Sequence, residues 1–63
     1  MNYFGKNIKL LRKRKKRTQN EVAVALELKR TSVNALENEI SQPTVSHLQA
    51  FSKYFGIAID TLI

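Results

Sequence analysis

Apolar residues recur along this 63-residue chain at helical spacing in five places. Phe4, Ile8 and Leu11 stand at i, i+4 and i+7. Val22, Ala23 and Leu26 form a second, shorter stripe, and Val33 and Leu36 a third. Val45, Leu48, Phe51, Ser52 and Phe55 mark the inner face of a fourth segment. Ile57, Ile59 and Leu62 close the chain. Residues three and four apart share one face of a helix. The pattern predicts an all-α chain of five helical segments.

Capping residues sharpen the boundaries. Thr18 and Glu21 form a T-x-x-E capping box, in which hydroxyl and carboxylate satisfy each other's backbone N–H groups. Pro43 disfavours helix at Gln42, which leaves Thr44 as the next N-cap. Gly56 suits the left-handed position after a helix. Between the second and third stripes only Glu27, Leu28 and Lys29 interrupt the pattern, with Leu28 expected to pack inward. Two short helices joined by a three-residue turn describe a helix-turn-helix, here residues 18–38. Its second helix, about residues 30–38, turns Val33 and Leu36 inward. That leaves Lys29, Arg30, Thr31, Ser32, Asn34 and Ala35 outside. Such cationic or small polar side chains can enter a major groove and read base edges. An ordinary solvated helix face would look the same, so the rest of the chain has to decide.

Charge decides much of it. Residues 1–30 carry +8 and residues 31–63 carry −2, so the formal net charge of +6 is a basic end rather than a basic surface. Much of it is the run Arg12-Lys13-Arg14-Lys15-Lys16-Arg17 at the end of the first helix. One or two of these cations are explained by the helix macrodipole. A localisation signal or membrane-surface patch is a weaker reading, because the run sits directly before a capped helix. A polyanion is the natural partner.

Other classes find little support. The chain is near the lower size limit for a self-sufficient core, which predicts one domain over residues 1–63. There is no cysteine, hence no disulfide and no thiolate metal site. No apolar run reaches membrane-spanning length, and the N-terminus lacks a signal-peptide core, so the expected compartment is the cytoplasm. His47 is the only histidine and reads as a surface residue. The five acidic residues are scattered, and Tyr3, Tyr54 and the three phenylalanines hold core or edge positions rather than forming a base-stacking platform. No enzyme activity, metal, cofactor or small-molecule ligand is expected.

Phe4-Gly5, Ile8, Leu11-Arg12, Thr18-Gln19, Glu21-Val22-Ala23, Leu26, Val33, Leu36-Glu37-Asn38, Pro43 and Leu48 through Leu62 together resemble the Cro/repressor-type (XRE-like) helix-turn-helix family of bacteria and phages. The resemblance covers essentially the whole chain without a gap. It implies a compact five-helix, lambda-repressor-like domain that binds duplex DNA, usually as a homodimer, in a transcriptional regulator of repressor-like type. By position, Gln19 resembles the family's phosphate-contacting residue, helped by exposed N–H groups at its helix start. Arg30, Thr31, Asn34 and Ala35 fall where the family reads bases. Lys29 and Ser32 lie beside the backbone of the same site, and Asn38 matches a position that approaches a phosphate. Arg12 and Glu37 match a structural salt bridge between the first and third helices.

The departures from the family are also informative. Lys16, Glu27 and Glu39 stand where the family usually has glycine, so a positive φ there would cost each residue roughly 1 kcal/mol. Arg17 replaces an apolar residue, while Lys29 and Ala58 replace helix caps. Ile40 replaces a residue that is often basic, and Val24 and Ala25 are apolar where charge is usual. These last changes keep one alternative open: a protein-interaction module of the same fold, of antitoxin or anti-repressor type. For DNA binding the expectations are specific. Arg30 should take guanine in a bidentate contact, Asn34 should pair with adenine, and Thr31 and Ala35 should touch a thymine methyl. A two-fold dimer should form with Ile59, Leu62 or Ile63 near the contact.

Overall fold

In the computed structural model, which describes residues 3–63, the chain forms five helices and no strand among those residues. They are α1 (Phe4–Arg14), α2 (Gln19–Ala25), α3 (Arg30–Glu37), α4 (Val45–Phe55) and α5 (Ile59–Leu62). The predicted apolar stripes meet in one core. Phe4, Ile8, Val22, Leu36, Phe51 and Leu62 are its buried centre, and Leu11, Leu26, Leu28, Leu48, Tyr54, Phe55 and Ile57 pack around it. Phe4 meets Phe51 edge to face at 5.5 Å between centroids, and Phe51 stacks on Phe55 at 6.1 Å, both within the favourable range for aromatic pairs. Leu28 does pack inward from the turn.

Both predicted N-caps are present. Thr18 Oγ1 accepts from the Glu21 N–H at 3.0 Å, and the Thr18 N–H donates to Glu21 Oε1 at 2.8 Å. That bond to the Thr18 backbone holds the Glu21 carboxyl below its ordinary range. Thr44 caps α4 in the same way, but its reciprocating partner is His47. The Thr44 N–H donates to His47 Nδ1 at 3.1 Å, and the His47 N–H to Thr44 Oγ1 at 3.2 Å. His47 is therefore a capping residue rather than a bystander on the surface. The Thr44-x-x-His47 spacing is that of Thr18-x-x-Glu21, with an imidazole nitrogen as the acceptor.

The helix ends repeat one geometry. After α1, Lys16 has φ 58°, and the Arg17 and Lys16 N–H groups donate back to Arg12 O and Lys13 O. After α2, Glu27 has φ 58°, and Leu28 and Glu27 donate to Ala23 O and Val24 O. After α3, Glu39 has φ 60°, and Ile40 and Glu39 donate to Ala35 O and Leu36 O. Each is a Schellman motif, which closes orphan carbonyls at a left-handed residue. Only the end of α4 places glycine there, Gly56 with φ 67°. The positive φ expected at Lys16, Glu27 and Glu39 is thus present, with a non-glycine side chain at all three.

α1 and α3 approach closely through Gly5. A Cβ at that position would collide with the Leu36 carbonyl and come within 2.9 Å of the Glu37 carbonyl. Next to this contact lies the salt bridge that the family resemblance implied. Arg12 Nε donates to Glu37 Oε2 at 2.6 Å and Nη2 donates to Oε1 at 3.0 Å, a two-point pair. Arg12 Nη1 also donates to Arg17 O at 2.8 Å. The two side chains are 11% and 1% exposed. Hydrogen bonding to the carboxylate pushes the Arg12 guanidinium up, against the opposing effect of burial.

Some sequence expectations change. Val45, expected on the inner face, is 69% exposed. It is the first residue of α4, and its position on the helix wheel lies well to one side of Leu48, Phe51 and Phe55. Leu62, expected near a dimer contact, is fully buried in the core. Ile63 and Ile59 remain exposed and half-buried respectively. The third helix ends at Glu37, with Asn38 as its C-cap rather than its last residue. The basic run divides: Arg14 ends α1, Lys15 is its C-cap, and Lys16 and Arg17 lie in the turn.

Thermal melts test the roles of the two neighbouring glutamates. Removing one partner of a buried ion pair costs roughly 3–5 kcal/mol. That is comparable with the whole stability of so short a chain, roughly 3–9 kcal/mol. Glu37→Ala should therefore lower the melting temperature by tens of degrees or abolish the transition. Glu39→Ala should change it little, and Glu39→Gly should raise it by several degrees through relief of the left-handed strain. Equal melting temperatures for the two alanine variants would remove both assignments.

Candidate nucleic-acid interface

α2 packs mainly against α3, and α3 also packs along α1, so the third helix is held from two sides. Its inward residues are Val33, Leu36 and Glu37, all buried. Lys29 precedes the helix in extended conformation (φ −80°, ψ 146°) and makes no side-chain cap, consistent with its replacing a capping residue. Lys29, Arg30 and Thr31 are exposed, Ser32, Asn34 and Ala35 are half-buried, and Asn38 is exposed at the helix end. These residues share the outer side and termini of α3, as their spacing predicts. Gln19 reaches the same helix from the first position of α2.

Gln19, Asn34 and Asn38 are joined by their side-chain amides. Gln19 Nε2 donates to Asn34 Oδ1 at 3.1 Å and to Glu37 Oε1 at 3.0 Å. Asn38 Nδ2 donates to Asn34 O and to Asn34 Oδ1, both at 3.0 Å. A connected path therefore runs from the Arg17 carbonyl through Arg12, Glu37, Gln19 and Asn34 to Asn38. No buried side-chain nitrogen or oxygen among the described residues lacks a partner.

This network changes the expectation for three residues, since both hydrogens of the Asn38 amide, expected near a phosphate, are taken by Asn34. Both hydrogens of the Gln19 amide are engaged within the chain, so its side-chain donors face α3 rather than outward. Asn34 Oδ1 accepts twice, which fills its two lone pairs. Pairing with adenine needs that oxygen to accept from the N6 amino group, so the expected Asn34–adenine contact is not available in this arrangement. The spacing of Asn34 and Asn38, one turn apart on a helix, was the signal in the sequence for part of this network.

The cations of the first helix have different surroundings. Arg12 is buried on Glu37. The Lys15 ammonium lies 5.3 Å from the centroid of the Tyr54 ring on α4. Arg17 Nη1 is 3.9 Å from Glu21 Oε2 in an exposed pair, which contributes little. Lys13, Arg14 and Lys16 are exposed with no side-chain partner among the described residues. Beyond the other end of α3, residues 39–44 contain no cation, and Ile40 there is 76% exposed. Positive charge therefore lies toward the α1–α2 turn and the start of α3.

Among the described residues, no group of His, Cys, Asp and Glu could hold a metal ion, and no helix is long and apolar enough to cross a membrane. A comparison with curated proteins finds the HTH-type transcriptional activator BcrR of Enterococcus faecalis, 32% identical over 60 residues. The match takes in 95% of this chain but 29% of that protein, so the chain spans less than a third of the relative's length. The profile of the helix-turn-helix family matches residues 8–62, from the middle of α1 to the end of α5. With the five-helix fold, the capped α2 and the locked α3 in place, this chain belongs to the XRE-type helix-turn-helix family.

Proposed function

We propose that residues 1–63 act as one DNA-binding unit of a transcriptional regulator, with α3 in the major groove of duplex DNA. The observation that carries this reading is the exposed N-terminal part of α3, Lys29-Arg30-Thr31, on a helix fixed to α1 and α2 by buried hydrogen bonds. A reading helix must hold its side chains in fixed register with the groove, and a helix tied at two points does so. The uneven charge supplies the attraction to phosphate, and the relative's role as a transcriptional activator agrees with a regulatory role; the compartment in this reading is the cytoplasm.

The roles divide by position. Arg30, exposed at the first turn of α3, takes guanine through its planar fork, which matches the O6 and N7 acceptors. Thr31 and Ala35 meet a thymine methyl, and Lys29 and Ser32 lie beside the backbone. The start of α2 at Gln19 approaches a phosphate through its backbone N–H groups, while the Asn38 amide, whose two hydrogens are held by Asn34, supports Asn34 instead. Lys13 and Lys16 add attraction that does not depend on sequence. α3 is only about 12 Å long at 1.5 Å per residue, enough for a few base pairs. Two copies on a two-fold axis then read half-sites roughly 34 Å apart, with Ile63 and Ile59 closer to the contact than the buried Leu62.

Affinity as a function of salt tests the attraction. Each neutralised phosphate contributes about 0.9 to the slope of log K against log salt. Lys13→Gln with Lys16→Gln should lower the slope and weaken binding to all duplexes alike. Unchanged affinity for non-specific DNA would mean that the run is only a solvated helix end.

Selection on random duplexes tests the reading itself. Arg30→Ala should cost about 1–3 kcal/mol on the selected site and relax the preference at one base pair per half-site. Lys6→Ala, whose ammonium lies 5.8 Å from the Tyr3 ring centroid, should do neither. If Arg30→Ala kept the wild-type ratio between selected and scrambled duplexes, a protein-interaction role would become the better account.

A further inference from the structure

This inference rests on the DNA-binding reading above. We propose that Asn34 is a donor-only specificity residue: its NH2 group takes an acceptor on DNA, while Gln19 and Asn38 act as positioning residues that hold its oxygen inward and deny it adenine.

The geometry fixes which end of the Asn34 amide points out. Gln19 Nε2 lies 3.0 Å from Glu37 Oε1, an oxygen that already accepts from Arg12 Nη2. A carboxylate only accepts, so the Gln19 nitrogen must face it as donor. The same nitrogen faces Asn34 at 3.1 Å, which requires the Asn34 oxygen at that point. Asn38 gives an independent constraint. Its Nδ2 bonds the Asn34 backbone carbonyl at 3.0 Å, so it too is a donor, and it meets the same Asn34 oxygen at 3.0 Å. Rotating the Asn34 amide would set donor against donor at two places. Asn34 therefore presents Nδ2, which has no partner among the described residues, one helical turn beyond Arg30.

Two donors and no acceptor select by chemistry. Adenine offers a donor and an acceptor in the major groove and needs both ends of an amide. Guanine offers N7 and O6, both acceptors, and thymine offers O4, an acceptor beside its methyl. A phosphate oxygen is also an acceptor only. The shared ligand chemistry is an acceptor-only group on DNA, and its sources are a base edge (guanine N7 and O6, or thymine O4) and a phosphate oxygen. The chain that fixes this preference begins at the Arg12–Glu37 pair, so the scaffold bond also sets the polarity of a contact residue.

The test compares wild type, Asn34→Ala and Asn34→Asp by selection on random duplexes, then by affinity on the winning duplex with and without ethylated phosphates. Asn34→Asp keeps an oxygen for Gln19 and Asn38 to donate to, so it tests the contact in a variant whose internal bonds survive; melting curves check the fold of both. Asn34→Ala should weaken binding about five- to tenfold, as expected for loss of a hydrogen bond to an acceptor of this kind, and Asn34→Asp should weaken it further. If a base edge is the source, both variants lose preference for G or T at one base pair. If phosphate is the source, affinity falls alike on all duplexes and both variants lose sensitivity to ethylation at one phosphate. An affinity of the wild type that falls when one adenine is replaced by purine, which lacks the N6 amino group, with no such fall in Asn34→Ala, would overturn the proposal, as would variants with wild-type affinity and preference. A wild-type chain that selects no duplex would overturn the DNA-binding reading as well. A silent Asn34→Ala beside a responsive Arg30→Ala would overturn this inference alone.

Discussion

The hydrogen bonds between Arg12 and Glu37 set the position of the third helix. Their cost in desolvation is high, because both side chains leave water almost completely. What offsets it is geometry: two parallel bonds to the carboxylate, a third from Arg12 to the Arg17 carbonyl, and a further donor to Glu37 from Gln19. The pair therefore joins α1, the α1–α2 turn, α2 and α3 at one point. Beside it, Gly5 lets the backbones of α1 and α3 come closer than any side chain would allow. Hydrophobic burial is non-directional and would tolerate some sliding of α3. The ion pair and the close approach at Gly5 remove that freedom.

Against this stands strain at the helix ends. Among the described residues, three of the four left-handed ones are lysine or glutamate, where glycine would be unstrained. The Schellman bonds persist because the chain must reverse there for the apolar stripes to meet, and closing the orphan carbonyls is worth more than the strain costs. The chain thus holds a demanding geometry with unfavourable residues, and a small core leaves little margin. Glu39 adds a charge at the negative end of α3 and on the flank that lacks cations. The cations open to a phosphate backbone are consequently weighted to the α1–α2 turn and the start of α3.

Much of this was legible in the sequence for physical reasons. Helical spacing of Phe4, Ile8 and Leu11, and of Leu48, Phe51 and Phe55, places helices because the 3.6-residue period leaves few alternatives. Thr18-x-x-Glu21 and Gly56 mark ends because their side chains, or the lack of one, solve a local hydrogen-bonding problem. The positive φ values followed from comparing this chain with its family position by position. What the sequence concealed depends on three-dimensional neighbours. Val45 stands three residues before Leu48, but at the first turn of α4 it falls at the margin of the apolar stripe and stays exposed. Leu62 could face a partner or the core, and only the path of α5 decides. The amide chain of Gln19, Asn34 and Asn38 joins residues up to nineteen positions apart, and hydrogen-bond polarity between such residues leaves no periodic trace. His47 was hidden for another reason: its ring replaces the usual carboxylate in a capping box.

The outer side of α3, held by the buried network, is proposed as the surface that meets DNA. Backbone amide chemical shifts, measured by NMR on titrating the chain with its selected duplex, address it most directly. The largest changes should fall at Arg30, Thr31, Asn34 and Ala35 and at the start of α2, with smaller ones along Lys13 to Lys16. Changes concentrated instead at Val24, Ala25 and Ile40, with α3 silent, would contradict it.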